Sequence, residues 1–108
     1  MVIVTRKHLV HAASKYKEAA AEIAAWFAIV SQVRWRNFAE LRATFPDADA
    51  VDGNVVFNIS HNRYRLVTVV HYSRKPQDRV TQGHVYIRSF LTHAAYEDRK
   101  NWDKEYGR

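Results

Sequence analysis

The chain contains no cysteine. A disulfide scaffold, a thiolate nucleophile and a thiolate metal site are therefore excluded. Glycine is almost as scarce, with 3 in 108 residues, and none stands in a loop of the kind that cradles phosphate. The longest unbroken apolar run, Ile23–Val30, is eight residues, well short of the ~18 needed to span a membrane. The opening Met-Val-Ile-Val-Thr-Arg reverses the basic-then-apolar order of a secretory signal. A soluble, cytoplasmic chain with no membrane partner is expected. There is no His-x-x-x-His pair with a carboxylate and no nucleophile elbow, so neither a metal site nor a cofactor is expected.

What is present is apolar and basic. Hydrophobic residues make up 47% of the chain, enough for one globular core, and a single domain over residues 1–108 is expected. The net charge of +6 is unevenly spread. Residues 53–96 hold six basic side chains against the single acid Asp78, whereas residues 37–52 are acidic on balance. Basic side chains interleaved with aromatics suit a nucleic acid or an acidic protein partner.

The patterning predicts an α+β fold, a small antiparallel-rich twisted sheet packed against two to three N-terminal helices. Val2–Thr5 is β-branched and predicts an edge or parallel strand, with Thr5 capping a first helix that carries Leu9, Ala12, Ala13 and Tyr16. A second helix is expected from about Ala19 to Val33. It is apolar nearly all round, which fits burial in the core or docking to another chain. A third runs over Trp35–Phe45, with Phe38, Leu41 and Phe45 on one stripe. The acids Asp47, Asp49 and Asp52 lack the spacing of a calcium loop, and a solvated turn is expected there.

Val55–Tyr96 predicts an antiparallel meander broken at Ser60–Asn62 and at Ser73–Gly83. The first break requires His61 or Asn62 to accept positive φ. Alternation places Arg65, Val67, Val69 and His71 on one face, and His84, Tyr86, Arg88 and Phe90 on one face of the next strand. Thr92 is an N-cap candidate for a helix from His93 to about Lys104 that carries Tyr96 and Trp102. Arg65, Arg88, His93 and Tyr96 thus gather near one end of a sheet. Imidazole can move protons near neutrality, guanidinium can stabilise charge on a phosphorane, and tyrosine can stack on a splayed base. The set suits metal-free phosphodiester transfer on RNA. It is equally compatible with structural roles, Arg88 pairing with an acid and His93 starting a helix.

V-F-N-I-x-x-N-x-Y-R-L over residues 56–66, followed by V-Y-I-R-x-x-x-T-H-x-x-Y over residues 85–96, resembles the HigB family of bacterial toxins within the RelE/ParE-like superfamily. The resemblance spans essentially the whole chain. This sequence departs from the family pattern at Ser60-His61, where glycine is common, and at Glu97, where an aspartate follows the tyrosine. The resemblance implies a RelE-like toxin fold and a type II toxin that cleaves mRNA on the translating ribosome without a metal. It implies Arg65, Arg88, His93 and Tyr96 as catalytic, with Asn62, Arg63, Arg74, Lys75 and Arg79 contacting RNA. The implied partners are a cognate helix-turn-helix antitoxin, mRNA and ribosomal RNA, with operator DNA reached only through the antitoxin. Related folds also poison gyrase, and a catalytically inert domain that only binds its antitoxin is a further alternative.

Overall fold

The computed structural model describes residues 1–61, 63–74 and 82–102. Among them, five strands form one sheet in the order β1-β5-β4-β3-β2. These are β1 (Val2–Val4), β2 (Asp49–Val51), β3 (Asn54–Ile59), β4 (Tyr64–His71) and β5 (His84–Thr92). The pairs β2–β3, β3–β4 and β4–β5 are antiparallel, and β1 joins β5 in parallel. The first strand is thus both edge and parallel, and the fold is α+β as expected.

Three helices precede the meander: α1 (Lys7–Lys15), α2 (Ala20–Gln32) and α3 (Phe38–Thr44). In α2, Ile23, Trp26 and Val30 recur at helical spacing and are buried, while its outer side is mostly alanine with Ile29 exposed. The all-round apolar pattern therefore resolves into one core face and an outer face of small residues. The core side of the sheet presents Val55, Phe57, Ile59, Tyr64, Leu66, Val85, Ile87 and Phe90. Phe57 is 1% exposed and meets Trp26 and Phe45 at ring-centroid distances of 5.3 and 5.2 Å. Burying a ring of this size contributes roughly 1.5–3 kcal/mol.

Caps set the helix boundaries. Asn37 Oδ1 accepts from the Glu40 amide at 2.9 Å, and Glu40 Oε1 accepts from the Arg36 amide at 2.8 Å. Asn37 thus caps the first turn of α3, and the Glu40 carboxylate reaches back past it to the amide of the preceding residue, a variant of the capping box. Thr5 does not cap α1, contrary to expectation. Its hydroxyl is taken by the Val4 and Ile87 carbonyls, and its φ of 64° carries the chain out of β1. The last helix is also shorter than expected. α4 is only His93–Tyr96, capped by Thr92 Oγ1 accepting from the Ala95 amide at 3.2 Å, and a 3-10 turn follows at Arg99–Asn101.

Two turns explain the sheet's register. Asp52 and Gly53 both have positive φ, 48° and 81°, the conformation of a two-residue hairpin turn. That turn makes Asp49–Val51 a strand rather than a solvated loop. At the β3–β4 turn Ser60 and His61 carry the positive φ, 55° and 53°, and Glu22 Oε2 accepts from the Ser60 amide at 2.6 Å. Asn62, also considered for this role, lies outside the described residues.

β5 carries a bulge. Val67 pairs with Ser89 but Thr68 pairs with Ile87, so Arg88 is the extra residue. A bulge breaks the alternation of faces. His84 and Tyr86 lie opposite His71 and Val69 on the outer face, whereas Phe90, beyond the bulge, lies in the helix-side core. The expectation that Phe90 shares a face with His84, Tyr86 and Arg88 is therefore corrected.

Candidate RNA-cleaving site

The outer face of the sheet is partly covered by its own C-terminal segment. Trp102 is 2% exposed and packs with Val56, Val67 and Leu91, its indole N–H donating to the Tyr96 carbonyl at 3.0 Å. Tyr96 stacks on Trp102 with centroids 5.0 Å apart and planes inclined by 17°. The tail thus docks as a second small core, instead of lying as an amphipathic helix among compensating charges.

Beside this plug, at the end of β4 nearest α4, is a cleft of about 400 Å³. Arg65 and Tyr96 line it together with Arg42, Asp47, Asp49 and Asn58. The Arg65 Cζ lies 5.5 Å from the centroid of the Tyr96 ring. Alternation explains the set: Arg65 pairs with Asn58, and Asp49 pairs with Val56, all on the outer face. Burial pushes the Tyr96 phenol above its ordinary value. Arg65 opposes that shift and Asp49 reinforces it. Tyr96 therefore keeps its proton at neutral pH and presents a donor, with carboxylates and a guanidinium around it.

The other candidates divide. Arg88 shares the outer face, but its Nη1 donates to Asn54 Oδ1 at 2.8 Å, near the Asp52–Gly53 turn. It stands three residues along β5 from Leu91, the partner of Arg65, a strand distance of roughly 10 Å. Arg88 is not among the residues lining the Arg65–Tyr96 cleft. His93 begins α4, one turn before Tyr96. Its imidazole is 54% exposed and lies 3.4 Å from Glu97 Oε1, outside the cleft lining. Arg63 is exposed in the β3–β4 turn, where its carbonyl accepts from the His93 amide at 2.9 Å. Arg74 is exposed just beyond β4, at the opposite end of the sheet from Arg63. Asn62, Lys75 and Arg79 lie outside the described residues.

Asp47, Asp49, Arg42 and Asn58 were not expected in the site. The overlooked signal is the Asp52-Gly53 pair, which marks a hairpin and makes the preceding Asp-Ala-Val a strand. Among the described residues no group of three or more histidines and carboxylates is placed to hold a metal ion. None of their helices is long and apolar enough to cross a membrane.

Residues 19–99 match the family of HigB toxins, the RelE-like toxic component of a toxin–antitoxin system. The chain belongs to this family. The match runs from the start of α2 through β5 and α4, so it takes in every residue of the cleft. The chain is 29% identical over 100 residues to the mRNA interferase toxin HigB of Escherichia coli K12, covering 90% of this chain and 88% of the relative. The mRNA interferases HigB of Escherichia coli O157:H7 and Shigella flexneri match to the same extent. As a HigB-family toxin, the protein has an antitoxin as its partner.

Proposed function

We propose that this HigB-family toxin is a metal-independent endoribonuclease that cleaves mRNA on the translating ribosome. The observation that carries the reading is the Arg65 guanidinium set over the Tyr96 ring in a cleft that also holds Asp49. Relatives named mRNA interferases support it. The RNA 2′-hydroxyl attacks the adjacent phosphorus and yields its proton to the Asp49 carboxylate. Arg65 binds the equatorial oxygens as negative charge builds on them. The bond to the 5′-oxygen breaks, and that oxygen takes a proton from His93, which stands one helical turn before Tyr96. The products are a 2′,3′-cyclic phosphate and a 5′-hydroxyl. Tyr96, held neutral with Trp102 against its ring and Arg65 over it, donates its phenol hydrogen bond to a phosphate oxygen. Arg63 contacts RNA beside the cleft and Arg74 does so at the far end of the sheet, and Asn62, Lys75 and Arg79 are further RNA contacts in this reading.

The antitoxin partner is a helix-turn-helix protein in this reading. Operator DNA is contacted only through it, and the toxin acts in the cytoplasm. The test is a translating extract programmed with a reporter mRNA. Fragments should carry cyclic-phosphate 3′ ends, and they should not form with Arg65→Ala or with mRNA that is not being translated. Intact mRNA together with early arrest of DNA synthesis in expressing cells would favour gyrase poisoning instead.

A further inference from the structure

At the end of the outer face opposite the cleft, three rings meet. His71 and His84 are direct cross-strand partners of β4 and β5, and Tyr86 pairs with Val69 beside them. The His71 and Tyr86 centroids are 5.0 Å apart in an edge-on arrangement at 63°, and His84 stacks on Tyr86 at 5.9 Å and 26°. All three side chains are exposed or half-buried. A structural sheet would place Val or Thr at such positions, and the helix-side residues Val70 and Val85 follow that rule. A cleft of about 630 Å³ lies beside them at the end of the sheet, lined by His71 and His84 with Arg36, Ser73 and Arg74 and by the helix-side Val70 and Tyr72, with Tyr86 outside its lining. Arg36 is held by Glu40 through two hydrogen bonds of 2.9 and 2.6 Å.

We propose that His71, Tyr86 and His84 form a second base-stacking subsite, which holds a nucleotide of the same RNA strand several positions from the scissile phosphate. The inference rests on the reading that the Arg65–Tyr96 cleft takes RNA. Three observations carry it. The two sites lie on one sheet face, six residues apart along β4, or roughly 20 Å. The surface between them carries the Arg99 guanidinium, 4.3 Å from the centre of the Trp102 ring and ion-paired with Asp52 at 2.7 Å, and the half-buried Arg88, which donates to Asn54. Cations along the way follow a phosphate backbone, and ring faces at the end accept any base, which is how single strands are gripped without sequence readout. The bulge at Arg88 creates the arrangement, because it sets Tyr86 and His84 on the outer face while Phe90 stays in the core.

The experiment measures binding of single-stranded RNA whose 2′-hydroxyls are methylated to prevent cleavage, using one oligonucleotide of about three nucleotides and one of roughly twelve. Wild-type protein should bind the longer RNA more tightly. Tyr86→Ala should weaken the longer RNA roughly 5- to 100-fold and leave the short one unchanged. Tyr86→Phe, which keeps the ring, should behave as wild type, and His84→Ala should fall in between. Melting temperatures of all variants report folding. Equal affinity of Tyr86→Ala and wild type for the longer RNA overturns the subsite. So does a loss that is the same at both lengths, or a loss of antitoxin affinity with RNA binding intact, which would assign the rings to a protein partner. A separate arm keeps the two readings apart. If Arg65→Ala leaves affinity for the short RNA unchanged, the cleft reading fails, whatever Tyr86 does.

Discussion

Arg65 and Tyr96 stand 31 positions apart in the chain, yet the guanidinium carbon lies 5.5 Å from the centre of the phenol ring. β4 supplies one and the turn after β5 supplies the other, and the stack of Tyr96 on Trp102 fixes the ring. The pair ties the sheet to its C-terminal plug and faces a cleft that also holds two aspartates. Its side chains are half-buried, so changing them alters the surface of the cleft more than the core.

Arg65→Ala should therefore lower mRNA cleavage on the order of 10²–10³-fold while the melting temperature stays close to wild type. Arg65→Lys should not restore the rate, because an ammonium lacks the planar pair of donors. His93 is exposed, and His93→Ala should leave stability within about 0.5 kcal/mol. Its cleavage rate should fall ~10²–10⁴-fold. Full cleavage by a stable His93→Ala protein would remove the imidazole from the mechanism.

An ultraviolet titration should find tyrosines that ionise above the ordinary value of about 10, since burial raises the Tyr96 and Tyr72 phenols, and the Tyr96 transition is the one that disappears in Tyr96→Phe. Arg65→Ala should move that transition further up, and Asp49→Asn should move it down. The sign for stability follows. The fold holds the phenol proton more tightly than the unfolded chain does, so this contribution is complete below pH ~10 and declines as the pH rises through the folded-state value. A transition that does not move in either variant would show that neither group acts on the ring.

Arg88 differs from Arg65 in being tied to Asn54, which is 4% exposed and whose Nδ2 donates to the Val51 and Asp52 carbonyls. Arg88→Ala leaves the Asn54 carbonyl without this donor and should cost about 1–3 kcal/mol in chemical denaturation. Any loss of cleavage in that variant should be accompanied by the loss of stability. An unchanged denaturation midpoint would show that the bond to Asn54 does not stabilise the turn.

Gly83 has a φ of +76°, and a Cβ there would stand 2.7 Å from the His71 carbonyl oxygen and 2.8 Å from the Ser73 nitrogen. Backbone atoms cannot yield as a flexible side chain can. Gly83→Ala should destabilise the protein by about 2–4 kcal/mol, as read from its urea unfolding midpoint. Gly53→Ala, at φ +81° but with open space around its Cβ, should cost less.

The strands of the meander, the three helices before it and the outward face of Arg65 were legible in the sequence, because periods of 2 and 3.6 are written in the apolar residues. Three features were not. The bulge at Arg88 leaves no trace in an alternating H-V-Y-I-R-S-F, since the extra residue shows only against its partner strand. Trp102 was read as part of an amphipathic helix running to about Lys104, because its burial depends on Val56, Val67 and Leu91 from three different strands. Asp49 was read as a turn because the acids around it masked a three-residue strand. Each miss is a matter of long-range pairing, which short-range patterning does not encode.

The parallel pairing of β1 with β5 joins Val2 to His84 and Val4 to Tyr86. During synthesis β1 therefore lacks this partner until β5 has followed it out of the ribosome. Contacts of this sequence separation are slow to form, since a long loop must close before any pairing offsets its entropy. The cleft is later still, because Tyr96 and the Trp102 plug follow β5. A nascent toxin consequently holds no assembled cleft while most of it is being made, and a prematurely terminated copy lacking residues beyond β5 has none at all. The order of the strands thus sets an interval between the synthesis of β1 and the assembly of the cleft.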